Sequence, residues 1–207
     1  PIMANVLAHL GFETTCVGTM GSPSIHPVFQ DLPTQLISIG IPAETIALEF
    51  GDGKLILSDV EAFRNLGWER LVEVVGAAKL EQLFRESELL ALVDWSNLPM
   101  ANDLLSGILE HLIPRCANGN QQFFFDLADP SAKPPRDIRT LLHTIGRFSP
   151  YGQITLGVNE NEAIYLYKIH FSEQSVPADL KELGMALFGQ LDLHQLVIHP
   201  IDRALLI

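Results

Sequence analysis

Beyond residue 77 the chain alternates helix-like with strand-like segments, and this alternation restricts the fold more than any other feature. Leu89-Leu90-Ala91-Leu92-Val93, Gln122-Phe123-Phe124-Phe125, Gln153-Ile154-Thr155-Leu156 and Leu196-Val197-Ile198 are short strands. Helical patterns at 77–87, 101–112, 137–145, 160–169 and 177–190 precede or separate them. Strands joined through helices cannot pair as hairpins, so they run parallel in a sheet covered on both faces. The predicted class is α/β, a doubly wound and mostly parallel sheet.

The first third departs from this alternation. Ile2 to Leu10 reads as a helix stopped at Gly11, and Thr14 to Val17 as a short strand. Residues 22–33 read as irregular. Leu36-Ile37-Ser38-Ile39, Thr45 to Phe50 and Lys54 to Leu57 are three strand-like runs in succession, with Gly51-Asp52-Gly53 as a hairpin turn. They predict a small antiparallel β-flap over 34–58, inserted in one domain spanning 1–207. Helical stretches at 59–66 and 68–75 follow, and Ala204 to Ile207 is a strand-like tail.

The 207 residues suffice for one good core, and their net charge of −12 argues against a nucleic-acid partner. No uncharged run reaches the roughly eighteen residues of a membrane helix. No basic stretch of a signal peptide opens the chain, and Pro1 in place of Met points to an N-terminus further upstream. Cys16 and Cys116 fit no metal or redox spacing and read as buried thiols of a cytoplasmic protein.

Three successive strands end in polar residues: Asp94-Trp95-Ser96-Asn97, Asp126-Leu127-Ala128-Asp129 and Asn159-Glu160-Asn161-Glu162. Parallel strands share one carboxyl edge, where open α/β sheets hold their ligands. Strand ends are also commonly polar for capping, so the weight lies in the convergence of all three. Asp94 is the candidate for a hydroxyl-bearing ligand, since a carboxylate accepts two hydroxyl hydrogen bonds. Asn159-x-x-Glu162 has the spacing of a capping box, and on spacing alone capping is favoured. A carboxylate there also suits Mg²⁺ held through water, and the two roles need different rotamers of Glu162. Asp129-Pro130 is a turn signal. The seven histidines lack metal-ligand spacing, with His199 the one at a buried strand end. No nucleophile elbow and no Gly-x-x-x-x-Gly-Lys loop is present.

Ala4, Gly11 and Gly21, with six and nine residues between them, match the tail of an N-terminal signature, and the chain resembles the ribokinase-like (PfkB) sugar kinase family. The flap resembles that family's β-lid, and Asn159-x-x-Glu162-Ala163 its Asn-x-x-Glu motif. The resemblance implies an ATP-dependent kinase acting on a sugar or related small alcohol or nucleoside bound between lid and sheet. Asp94, with Asn97, would contact the acceptor. Asp126 would lie near the nucleotide phosphates, and Asn159 with Glu162 would order phosphate and Mg²⁺, the metal reached through water. If its outer face is apolar through Ile46, Leu48 and Ile56, the lid would pair two chains as a homodimer.

The departures are equally specific. The family's Asn before the alanine is Ile2 here, and no Gly-x-Gly-Asp, the loop carrying the family's catalytic base, occurs in these residues. His199 to Ala204 lacks the glycines of the family's nucleotide loop. The sequence is then expected to be part of a longer kinase, or else a diverged, non-catalytic ligand-binding or dimerisation module. Missing pieces at both ends favour the first.

Overall fold

The computed structural model describes residues 1–171 and 175–207, which form two compact units, Pro1–Gly76 and Ala77–Ile207. In the first unit, helix α1 (Ile2–His9) precedes strand β1 (Thr15–Gly18), which pairs in parallel with β2 (Gln35–Ser38), Cys16 opposite Leu36. The Leu36–Ile39 run therefore does not belong to the antiparallel piece. It lies beside β1 because the 22–33 stretch, with one 3-10 turn at Pro27–Phe29, is long enough to carry the chain back.

The antiparallel element is the hairpin of β3 (Glu44–Phe50) and β4 (Gly53–Asp59). Its register sets Ile46 opposite Leu57 and Leu48 opposite Leu55, so these four and Phe50 share one face. Ile56 pairs with Ala47 on the other face, correcting its expected place beside Ile46 and Leu48. The helix expected at 59–66 is one 3-10 turn, Glu61–Phe63. The Asp59 carboxylate accepts the Glu61 N–H at 2.9 Å, a local turn that competes with helix extension. Helix α2 (Trp68–Val75) then ends at Gly76, whose φ of 85° a side chain would disfavour.

The second unit carries the alternation seen in the sequence. Helix α3 (Ala77–Glu86) leads to β5 (Leu89–Leu92), α4 (Ala101–Gly107) to α5 (Ile113–Cys116), and then to β6 (Gln121–Asp126). A π-helical turn at Ile108–Leu112 joins α4 and α5, so the helix expected to end at Leu112 continues to Cys116. Helix α6 (Pro135–Gly146), β7 (Gly152–Val158), α7 (Glu160–Phe171), α8 (Leu180–Phe188), β8 (Gln195–Ile198) and β9 (Leu205–Leu206) complete it. Strands β5 to β8 lie side by side in chain order, all parallel, and β9 closes the edge antiparallel to β8. The class is the expected α/β one.

Because each crossover steps one strand in the same direction, right-handed connections send the intervening helices to one face. Phe123, Phe125, Ile154, Leu156, Val158, Leu196 and Ile198 are almost fully buried there. Gln122, Gln153 and Gln195 on the opposite face are exposed, so cover of the two faces is unequal in this unit. Phe148, fully buried after α6, stacks edge-to-face on Phe123 at 5.2 Å and on Phe125 at 5.4 Å. Gly152 must be glycine because a Cβ there would collide with the Gln121 carbonyl. The Gln121 amide also donates to the carbonyls of Phe84 and Ser87, tying the end of α3 to the start of β6.

Phe148→Ala should lower unfolding free energy by about 3–5 kcal/mol, the usual result of emptying a closed aromatic site. Urea denaturation checks this, and a loss under about 1 kcal/mol would show that the cluster does not hold β6 and β7 together.

Candidate active site at the carboxyl edge of the sheet

The second unit brings the three polar strand ends to one edge. After β5, Asp94 takes a left-handed conformation, φ 67° and ψ 33°, which a non-glycine residue adopts at a cost in strain. Its carboxylate accepts the Asn97 side-chain amide at 2.6 Å, so these two predicted acceptor residues form one turn, Trp95–Asn97. The Trp95 indole N–H donates to Asn102 at 3.0 Å, and Asn102 donates to the Asp137 carbonyl. The Ser96 N–H donates to the Leu127 carbonyl at 2.9 Å, docking this turn on the end of β6. The Ser96 hydroxyl is buried without a partner, an unmet polar group that stability alone does not favour.

After β6, Asp126 accepts the Ala128 N–H at 3.1 Å, and Ala128 is the second non-glycine residue with positive φ, 55°. Asp129 caps a 3-10 turn, Pro130–Ala132, by accepting the Ser131 N–H. Hydrogen bonds from the Ser131 hydroxyl and backbone hold its carboxyl below the usual carboxylate range.

After β7, Asn159 and Glu162 bond reciprocally. The Asn159 N–H and side-chain amide donate to the two Glu162 carboxylate oxygens at 2.9 and 2.7 Å, and the Glu162 N–H donates to Asn159 Oδ1 at 2.9 Å. Of the two rotamers open to Glu162, the capping one is adopted. Glu162 is only 9% exposed, and burial raises its pKa. The Asn159 N–H opposes that rise, the charge of Asp126 adds to it, and His199 and Asp129 act in lesser and opposite directions. His199, whose N–H donates to the Val158 carbonyl, thus lies within electrostatic reach of the site.

Asp129, Ser131, Asn159, Asn161, Glu162 and Tyr165 line a cleft of about 400 Å³. Among the five residues singled out in the sequence, Asn159 and Glu162 line it and Asp126 acts on it through its field. Asp94 and Asn97 stand at the neighbouring strand end, outside the cleft lining. Sequence reading placed Asn161 in the polar strand end and missed Ser131 and Tyr165. Tyr165 lies four residues after Asn161 on α7, a spacing that would have placed it on the same flank of the motif's helix. The described residues contain no group of three or more His, Cys, Asp or Glu able to hold a metal directly. A buried glutamate with the charges of Asp126 and Asp129 nearby is nevertheless the hard oxygen chemistry that suits hydrated Mg²⁺.

A parallel α/β sheet with an antiparallel hairpin and a polar carboxyl edge is the architecture of the ribokinase-like (PfkB) proteins, and solved members superpose on it. A PfkB protein from Polaromonas sp. JS666 does so with a TM-score of 0.65 at 12% identity, over 99% of this chain and 67% of that one. An adenosine kinase of Trypanosoma brucei brucei gives 0.62 at 12%, over 99% and 61%. One from Anopheles gambiae gives 0.59 at 18%, over 93% and 55%. Residues 2–207 match the family model of the prokaryotic ketohexokinases, and the chain belongs to that family. It is 27% identical to the ketohexokinase of Haloferax volcanii over 99% of its own length and 54% of that protein, so it spans about half of this curated relative.

The raised pKa of Glu162 has a testable sign. Ionisation of this buried group opposes folding, so its stability contribution is full below the ordinary glutamate range and is lost as pH rises through the raised value. Glu162→Gln removes the charge and keeps one acceptor for the cap. Its melting temperature relative to the wild type should therefore climb between about pH 4 and about pH 8. A difference that falls with pH would contradict this.

Proposed function

We propose that the protein containing this chain transfers phosphate from ATP to a hydroxyl of a sugar or related small alcohol, with a ketohexose the first acceptor to try. The observation that carries this reading is the gathering of Asp126, Asp129, Asn159 and Glu162 at one edge of a ketohexokinase-family sheet, beside the Asp94–Asn97 turn.

The charges decide what form of nucleotide this edge accepts. Asp126 and Asp129, whose charges reach Glu162 across the cleft, repel a bare triphosphate, so the nucleotide enters as its magnesium complex. Bound Mg²⁺ would supply neutralisation of phosphate charge, and Glu162, with Asn159, would hold it through water. Asn159 is fixed by its bonds to Glu162, and the helix start it sets would face the phosphates. Asp94, oriented by the Asn97 amide, accepts hydrogen bonds from acceptor hydroxyls with its remaining lone pairs. These residues bind and orient. No Gly-x-Gly-Asp occurs among them, and none is assigned the role of base. ATP as donor places the reaction in the cytoplasm, and no described helix is long and apolar enough to cross a membrane.

A second copy of the chain is the proposed protein partner, through the hairpin. Ile46, Leu48, Phe50, Leu55 and Leu57 expose 42–63% of their surface on one face of a two-stranded ribbon. Such a ribbon is marginal by itself, and the same apolar row on a twofold-related copy is its chemical match. Leu48→Glu should convert a dimer into a monomer in analytical ultracentrifugation. A wild type that is monomeric at micromolar concentration would exclude this pairing.

Full-length protein should form ADP in the presence of fructose, ATP and Mg²⁺. Asp94→Ala should lower kcat/KM for the acceptor by roughly 10- to 100-fold, the loss expected for a hydrogen bond to a charged group. No turnover with any sugar or nucleoside, together with no nucleotide binding, would overturn the reading.

A further inference from the structure

The turn carrying Asp94 and Asn97 and the turn carrying Asp129 and Ser131 come from different strands, and one side chain grips both. Lys133 is the residue that ends the Pro130–Ala132 turn. Its ammonium donates to the Leu98 carbonyl at 2.6 Å, and Leu98 ends the Trp95–Asn97 turn. The same ammonium stands 5.2 Å from the centre of the Trp95 ring, the first residue of that turn. Lys133 thus holds the opposite turn at both of its ends. A second direct bond between these loops runs from the Ser96 N–H to the Leu127 carbonyl.

We propose that Lys133 is a positioning residue for the acceptor side of the site, a cationic staple that keeps the Asp94–Asn97 turn in register with the end of β6. This rests on the kinase reading above.

Three features make the staple more than packing. Asp94 and Ala128, at the roots of the two turns, both have positive φ, and such conformations persist only where their surroundings over-determine them. A lysine drawn partly out of water is a costly fastener. Burial holds its ammonium below the usual lysine pKa, with Asp137 opposing that shift. A neutral side chain of the same length would pack over Trp95 without donating to the Leu98 carbonyl or adding the attraction of a cation for an indole face. Lys133 also does not line the cleft beside Glu162, so its grip is on the acceptor turn rather than on the phosphate side.

The test uses the full-length protein with Lys133→Met and Lys133→Arg, their folding checked by thermal melts. Lys133→Met should raise KM for the acceptor by about tenfold, with kcat and KM for ATP within about twofold of the wild type. Lys133→Arg, which also donates and stacks on indole, should restore most of the acceptor KM. If Lys133→Met does not fold, Lys133→Gln takes its place, retaining a donor without the charge, and its acceptor KM must still exceed that of Lys133→Arg. An unchanged acceptor KM, or a rise confined to ATP, would overturn the staple. Trp95 fluorescence, taken as the difference from Trp95→Phe, separates this failure from that of the kinase reading. With no turnover in the wild type, Lys133→Met should still open Trp95 to acrylamide quenching and Lys133→Arg should not. Unaltered quenching in Lys133→Met would refute the contact itself.

Discussion

The parallel register of β6 on β7 is the constraint from which the site follows. It pairs Phe125 with Leu156 and Asp126 with Gly157, so the end of one strand lies beside the end of the next. Phe148 locks that register from the buried face by resting on both Phe123 and Phe125. The absent side chain of Gly152 allows the close approach at the other end of the pair. A one-residue slip would turn Asp126 to the opposite face and bury a carboxylate among phenylalanines. Core packing and placement of charge are thus the same requirement.

That placement is electrostatically unfavourable for the fold alone. Asp126 and Asp129 raise the pKa of a glutamate already disfavoured by burial, and the Asn159 N–H offsets only part of this. Two left-handed residues and an unpartnered buried hydroxyl stand at the neighbouring turns. Local defects that collect at one sheet edge, while the apolar face beneath is almost fully buried, have the distribution of a functional site. The capping box and the ligand site need not exclude each other. A side chain that completes a helix start also fixes the N–H groups presented to an anion.

The alternation of helix and strand was readable because each strand is a short apolar run bounded by turn residues, as at Gln121–Asp126 and Gly152–Val158. The three polar strand ends and the reciprocal Asn159–Glu162 bonding were readable for the same reason, since both depend on near neighbours. Pairing partners were less so. Leu36–Ile39 reads as a flap strand by proximity to the hairpin, yet parallel pairing with β1 depends on how the 22–33 loop returns. Ile56 faces away from Ile46 and Leu48 because the tight turn pairs Phe50 with Gly53, a register that the residue pattern alone does not specify. Lys133 and Ser131 carry no sequence signal, since their roles arise only where two strand-end loops meet.

Family membership says which chemistry to test, and the local charges say how it should begin. A calorimetric titration of the full-length protein with ATP, with and without Mg²⁺, addresses the central claim that this edge receives phosphate only in a cation-neutralised form. The expected result is binding of MgATP with binding of metal-free ATP weaker by an order of magnitude or more. Equal affinity for both forms, or no affinity for either, would contradict that claim.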